Sequence, residues 1–216
     1  MFVRECMTPN PVTITTDVSV PQALRLMLDK KVRRLPVLDR RGKLVGIVSD
    51  KDLLHASPSQ ATSLSVWEMN ELLGKLKVKE VMTREVVTVS EELPIEEAAR
   101  IMADRKIGGL PVMREQTLAG IITETDLFKV LLEKLGARRP GVSVTVSVPG
   151  VRGTLAKVTN AVFDADGDIV GLGISEVSGS NGTQWEIMLK VQFVSQNMLV
   201  EVLKPVVEEI VDVREA

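Results

Sequence analysis

The feature that most constrains what this chain can fold into is that much of its N-terminal part is written twice. Gly46-Ile47-Val48-Ser49-Asp50-Lys51-Asp52 runs into Leu53-Leu54, and Gly120-Ile121-Ile122-Thr123-Glu124-Thr125-Asp126 runs into Leu127-Phe128. Both read glycine, two β-branched residues, a hydroxyl, two variable positions, aspartate and two apolar residues. Such a string predicts a buried strand entering a helix directly, with the hydroxyl residue as its cap. The register extends outward. Met7-Thr8 matches Met82-Thr83, Ala23 matches Ala98, Met27 matches Met102, and Leu35-Pro36-Val37 matches Leu110-Pro111-Val112, all at an offset of 75. The offset falls to 74 at Ser49 and Thr123, where one turn is a residue shorter. Two copies are too few for a solenoid, so the pattern predicts two modules packed on each other.

Each copy reads as β-α-β-β-α. In the first, a strand is expected at Val12–Thr15 and a helix after Ser19, with Val20, Ala23, Leu24, Met27 and Leu28 on one face. Ser19 and Gln22 form a capping box, and Pro21 is tolerated in a first turn. Strands at Arg34–Asp39 and Leu44–Ser49 and a helix from Asp50 to about His55 follow. Residues 57–62 read as a loop and Ser65 to Lys75 as a bridging helix. The second copy has expected strands at Val86–Val89, Leu110–Met113 and Leu118–Thr123. Its helices run from Pro94 to about Asp104 and onward to about Leu135.

Past the Gly136–Gly141 linker the character changes. Val142 to Val148 alternates strictly between valine and a hydroxyl residue, a strand with one buried face. A helix near Thr154–Ala165, strands at Asp168–Val177 and Gln184–Val194 around an Asn181-Gly182 turn, a helix from about Ser195 and a strand at Ile210–Val213 complete a β-α-β-β-α-β unit. The expected boundaries are 1–58, 59–78 for the bridge, 79–136 and 137–216, and the expected class is α/β, with α and β elements mixed in every unit.

Composition excludes several function classes. Of 216 residues, 27 are basic and 29 acidic, giving a net charge of −2 and no support for a nucleic-acid surface. No apolar run reaches the roughly 20 residues of a membrane span, and no basic-then-apolar leader opens the chain. Cys6 is the single cysteine, which fits a reducing, cytoplasmic compartment. His55 is the single histidine; no serine or cysteine is paired with it as a base in the sequence pattern and it has no partner for a histidine-based metal site, so no enzyme activity is expected.

The repeat, with Leu-Pro-Val before its second hairpin strand and Gly-x-x-Ser/Thr-x-x-Asp at its end, resembles the cystathionine-β-synthase (CBS) domain. That resemblance implies a pair of domains binding adenine nucleotides, AMP or ATP, in clefts between the copies, as effectors and not as catalytic cofactors. The C-terminal unit is similar to an ACT domain, a regulatory module of ferredoxin-like topology. Together with the bridge from Val66 to Val78, the arrangement resembles the acetoin-utilisation AcuB family. It implies a homodimeric regulator with a regulated protein partner.

Candidate site residues follow. Ser49 and Asp52, and equally Thr123 and Asp126, sit where a helix start offers free N–H groups to a phosphate and a carboxylate can accept ribose hydroxyls. The competing reading is a plain capping box, in which aspartate is expected to reach the cap N–H less well than glutamate. Thr13 and Thr88 open the first strands, and Pro36 and Pro111 belong to the matched motif. Arg33 and Arg34 stand where some CBS domains carry a phosphate-reaching base, and arginine's fork of donors suits that task. The second copy has Gly108-Gly109 instead, with Arg105 and Lys106 as the nearest cations, so the two clefts are expected to differ in anion affinity. In the ACT-like unit, Gly153 and Asp168-Ile169 match the effector-binding turn and strand start. Gly150 and Asp168 replace the Asp and Asn of many amino-acid-binding relatives. A packing or dimerisation role for that unit stands beside the amino-acid or organic-acid sensor as alternatives.

Overall fold

A computed structural model describes residues 1–56, 74–179 and 182–215. The expected loop at 57–62, nearly all of the expected bridging helix and Asn181 of the expected turn lie outside the described residues. The chain divides into two compact units, Met1–Leu127 and Phe128–Ala216.

The first unit holds the first repeat and the second as far as Leu127. Its elements are β1 (Thr8–Pro9), β2 (Ile14–Thr15), α1 (Val20–Lys30), β3 (Arg34–Leu38), β4 (Leu44–Ser49) and α2 (Asp50–His55). After the undescribed stretch come α3 (Val78–Val81), β5 (Val89–Ser90), α4 (Ile95–Arg105), β6 (Gly109–Arg114), β7 (Thr117–Thr123) and the start of α5 (Glu124–Lys134). The first strands are shorter than expected and begin one residue after Thr13 and Thr88. Ser19 caps α1 as the sequence predicts: its N–H donates to Gln22 Oε1 at 3.1 Å. Both α1 and α4 end on a lysine in the left-handed region, Lys31 at φ 54° and Lys106 at φ 55°. The repeat therefore extends to backbone conformation.

Each repeat builds a small sheet in which the first strand is parallel to the second and the second antiparallel to the third. Leu35, Val37 and Val48 are fully buried under Val20, Ala23 and Met27 of α1, and Leu110, Val112 and Ile122 are buried under Ala98 and Met102 of α4. Full burial of each such aliphatic side chain contributes about 1.5–3 kcal/mol.

The two repeats exchange their opening segments. β1, from the first repeat, pairs antiparallel with β7 of the second, Thr8 opposite Ile121. Reciprocally, Thr83 of the second repeat bridges Ile47 of the first, with N–H···O contacts of 2.9 and 3.0 Å in the two directions. Val3 is buried in the core of the second repeat, and its counterpart Val78 is buried in the core of the first.

The second unit contains β8 (Val142–Pro149), α6 (Thr154–Asp164), β9 (Asp168–Gly179), β10 (Gly182–Gln192), α7 (Gln196–Leu203) and β11 (Glu209–Glu215). The strand order is β11-β8-β10-β9, all antiparallel, which is the ferredoxin-like arrangement of a β-α-β-β-α-β chain. The alternating valines of β8 face Val158 and Val162 of α6 and Leu199 and Leu203 of α7 in one core. Leu135 and Gly136 cross the β9 backbone so closely that Gly171 has no room for a side chain.

Candidate functional site

The strand-to-helix corners are formed as the repeat predicts, and both readings of them meet in one geometry. Ser49 is extended, with φ −104° and ψ 163°, and its Oγ accepts from Asp52 N–H at 3.2 Å. In return Asp52 Oδ2 accepts from Ser49 N–H at 2.8 Å and from Ser49 Oγ at 2.7 Å. Asp126 Oδ2 likewise accepts from Thr123 N–H at 3.0 Å and from Thr123 Oγ1 at 2.7 Å. The expectation that aspartate closes the capping box poorly is therefore corrected. The extended cap residue brings its N–H and hydroxyl together toward the third helical position, and a short carboxylate reaches both. The hydroxyl also serves as donor, so one oxygen of each carboxylate is committed to the corner itself.

Two clefts flank these corners, with volumes of about 280 and 340 Å³. These volumes lie around the lower end of the range for small-molecule sites, about 300–1,000 Å³. Because the repeats exchange segments, each cleft is a hybrid. The cleft at Thr123 and Asp126 is walled by Thr8, Val12 and Val32 of the first repeat and Ile121 of the second. The cleft at Ser49 and Asp52 is walled by Ile47 of the first repeat and Thr83, Val86, Val87 and Ile107 of the second.

Each cleft is lined by three cations, and the two differ in their carboxylates. Lys31, Arg33 and Arg34 line the Thr123 cleft, with Asp126 as its carboxylate. Arg34, Lys51 and Lys106 line the Ser49 cleft, together with Asp52 and Glu85. Arg33 Nη2 also donates to Thr125 Oγ1 at 3.4 Å across the repeats. Arg34 is common to both clefts.

The remaining sequence-predicted positions are spread more widely. Pro111 lines the Ser49 cleft, whereas Pro36 is buried in β3 and lines neither. Thr13 lines neither cleft, and Thr88 opens onto a separate groove with Lys43, Arg84 and Gln116. Arg105 is likewise absent from both linings. The apolar walls are what residue-by-residue reading missed. Their signal is the repeat register itself, since Val12 corresponds to Val87, Val32 to Ile107 and Ile47 to Ile121. In the second unit, Gly153 caps α6 at φ 90° and Asp168 opens β9, exposed, with Ile169 partly buried beside it. Among the described residues no His, Cys, Asp and Glu side chains converge so as to hold a metal ion. No described helix is long and apolar enough to cross a membrane.

Two pseudo-equivalent β-α-β-β-α modules sharing a pair of clefts define a tandem α/β module. The chain belongs to the CBS domain family, whose model matches residues 3–59 and 78–133. It is 33% identical over 136 residues to a CBS domain-containing protein of Dictyostelium discoideum, covering 62% of this chain and 94% of that protein. Over 182 residues it is 30% identical to inosine-5'-monophosphate dehydrogenase of Nitrosopumilus maritimus, covering 81% of this chain but only 34% of the enzyme. The chain thus spans about a third of the length of that enzyme.

Several solved structures are similar. CBSX2 in complex with AMP is 34% identical with a TM-score of 0.52, covering 64% of this chain and 99% of that one. A Vibrio cholerae protein described as an acetoin utilization protein (AcuB) is 32% identical with a TM-score of 0.53, covering 64% and 95%. A CBS domain pair in complex with 5'-methylthioadenosine and S-adenosyl-L-methionine is 26% identical with a TM-score of 0.52, covering 64% and 98%.

Proposed function

We propose that this chain is a non-catalytic regulatory protein that takes an adenine nucleotide in its two interrepeat clefts. The observation that carries the reading is the pair of hybrid clefts, each combining an apolar wall, a hydroxyl–carboxylate corner at a helix start and two or more cations. An adenine ring suits the Val12–Val32–Ile121 and Val87–Ile107–Ile47 walls. The unengaged oxygen of Asp52 suits ribose hydroxyls, and Arg33, Arg34, Lys51 and Lys106 suit phosphate. The adenosine ligands held by two similar solved proteins support the same class of effector. Such a ligand regulates only through unequal affinity for two conformations of the protein.

We read the second unit as an ACT domain on the strength of its ferredoxin-like strand order. Assembly into a two-fold dimer is supported by the exposed Leu28 and Leu54 of α1 and α2, and a regulated protein partner is part of the same reading. The likeness to the Vibrio cholerae protein supports a link to acetoin utilisation. The alternative, an amino-acid or organic-acid sensor acting through Gly153, Asp168 and Ile169 with the CBS pair as scaffold, is supported by the positive-φ turn at Gly153.

Thermal unfolding of the full chain with AMP, ATP, S-adenosylmethionine and a panel of amino acids tests these readings. A ligand at 100 times its Kd adds about 2.7 kcal/mol to the folded state. A rise in Tm with adenosine ligands alone supports the nucleotide reading. A rise with amino acids alone replaces it with the alternative.

A further inference from the structure

Arg34 occupies a place that the repeat leaves vacant in the second copy. Its counterpart is Gly109, and that of Arg33 is Gly108. The Arg34 side chain is laid along those two glycines. A Cβ on Gly108 would collide with Arg34 Nη2 and stand 2.7 Å from Glu124 Oε2, and one on Gly109 would stand 3.0 Å from Arg34 Cδ. Two arginines related by the pseudo-symmetry could not both lie there, on steric grounds and because their charges would repel. The side chain reaches from the first repeat across the pair and borders both clefts. Among the described residues its guanidinium makes no hydrogen bond or ion pair, unlike that of Arg33.

We propose that Arg34 is one anion-binding group shared by the two clefts, so that two phosphate-bearing ligands bind this pair with negative coupling. The inference rests on the clefts being nucleotide sites, as read above. The guanidinium carries one positive charge on one side chain, and a phosphate that engages it bidentately draws both toward its own cleft. The first phosphate to arrive engages it, and the second ligand is left with Lys51 and Lys106, or with Lys31 and Arg33, and faces the first ligand's charge. By reciprocity each ligand weakens the other by the same factor. A hydrogen bond to a charged group is strong enough for its loss to cost about ten-fold in affinity or more. A neutral nucleoside makes no claim on Arg34, so adenosine fills both clefts without this penalty.

Isothermal titration of the full chain with AMP and with adenosine provides the test. The expected result is two AMP steps separated by about ten-fold or more, adenosine steps that lie closer together, and an Arg34→Gln variant in which the AMP steps converge because the tight one weakens. Asp52→Ala and Asp126→Ala, which each disable one cleft, should then each bind a single AMP, and adding Arg34→Gln should weaken that AMP in both. If Arg34→Gln weakens AMP in only one of them, Arg34 belongs to one cleft and the proposal falls. It also falls if wild-type AMP steps are equal or if their ratio survives Arg34→Gln, results that leave the nucleotide reading intact. Failure of both AMP and adenosine to bind the wild type defeats the nucleotide reading and this proposal with it. Should an aspartate variant fail to fold, Arg34→Gln alone decides.

Discussion

Met82 of the second repeat lies against Gly46 of the first, where any Cβ would overlap its Sδ, and Met7 lies against Gly120 in the same way. These two contacts are related by the repeat register and lock each opening segment onto the opposite module. The glycine that begins each strand-to-helix corner is thus a packing requirement before it is anything else.

Gly46→Ala should therefore destabilise the first unit by about 1–3 kcal/mol, the usual cost of overpacking a filled contact. Met82→Ala in the same chain should recover part of that loss. Urea unfolding of the two single variants and the double variant measures the coupling. Independent, additive effects would show that the glycine is needed for another reason.

Segment exchange makes a spatially specific prediction for Val3. Val3→Ala should cost about 2 kcal/mol through lost burial and a residual cavity. Its effect should appear in the second repeat. Hydrogen exchange should accelerate in α4 and β6, and the amides of α1 should be little changed. Val78→Ala should show the mirror-image pattern.

The corner aspartates serve a cap and, on the proposed reading, a ligand, and one substitution separates the two. Asp52→Glu restores the usual capping-box acid and should change stability by less than about 0.5 kcal/mol. It moves the carboxylate relative to the cleft, so AMP should bind there more weakly. Asp52→Ala should lower both stability and affinity. Thermal melts with and without AMP give both readouts.

Glu91 and Arg114 form a two-pronged ion pair, with contacts of 2.5 and 2.8 Å. The hydrogen bond from Arg114 holds the Glu91 carboxyl below its ordinary range. A depressed carboxylate contributes stability that is present above its unfolded-state pKa and is lost as pH falls through the lower folded value. Glu91→Gln should accordingly make the acid limb of the stability curve shallower while leaving AMP binding unchanged. Acid titration followed by circular dichroism checks the sign.

The linear chain settled a good deal. The duplication, the β-α-β-β-α order of each module, the Ser19–Gln22 cap and the two hydroxyl–carboxylate corners were legible because they rest on local spacing and hydrogen bonds within a few residues. The alternating valines of β8 announced one buried face for the same reason. Tertiary structure alone decided which partner each segment takes. Val3, Met7 and Thr8 carry no local mark that they belong to the other module's core and sheet, since an apolar residue is buried equally well in either copy. That choice turns each cleft into a hybrid and leaves Thr13 and Thr88 outside both. It also sets Arg34 across Gly108 and Gly109, because contacts between residues about 75 positions apart depend on how the two related modules pack, and sequence periodicity is the same for every such packing.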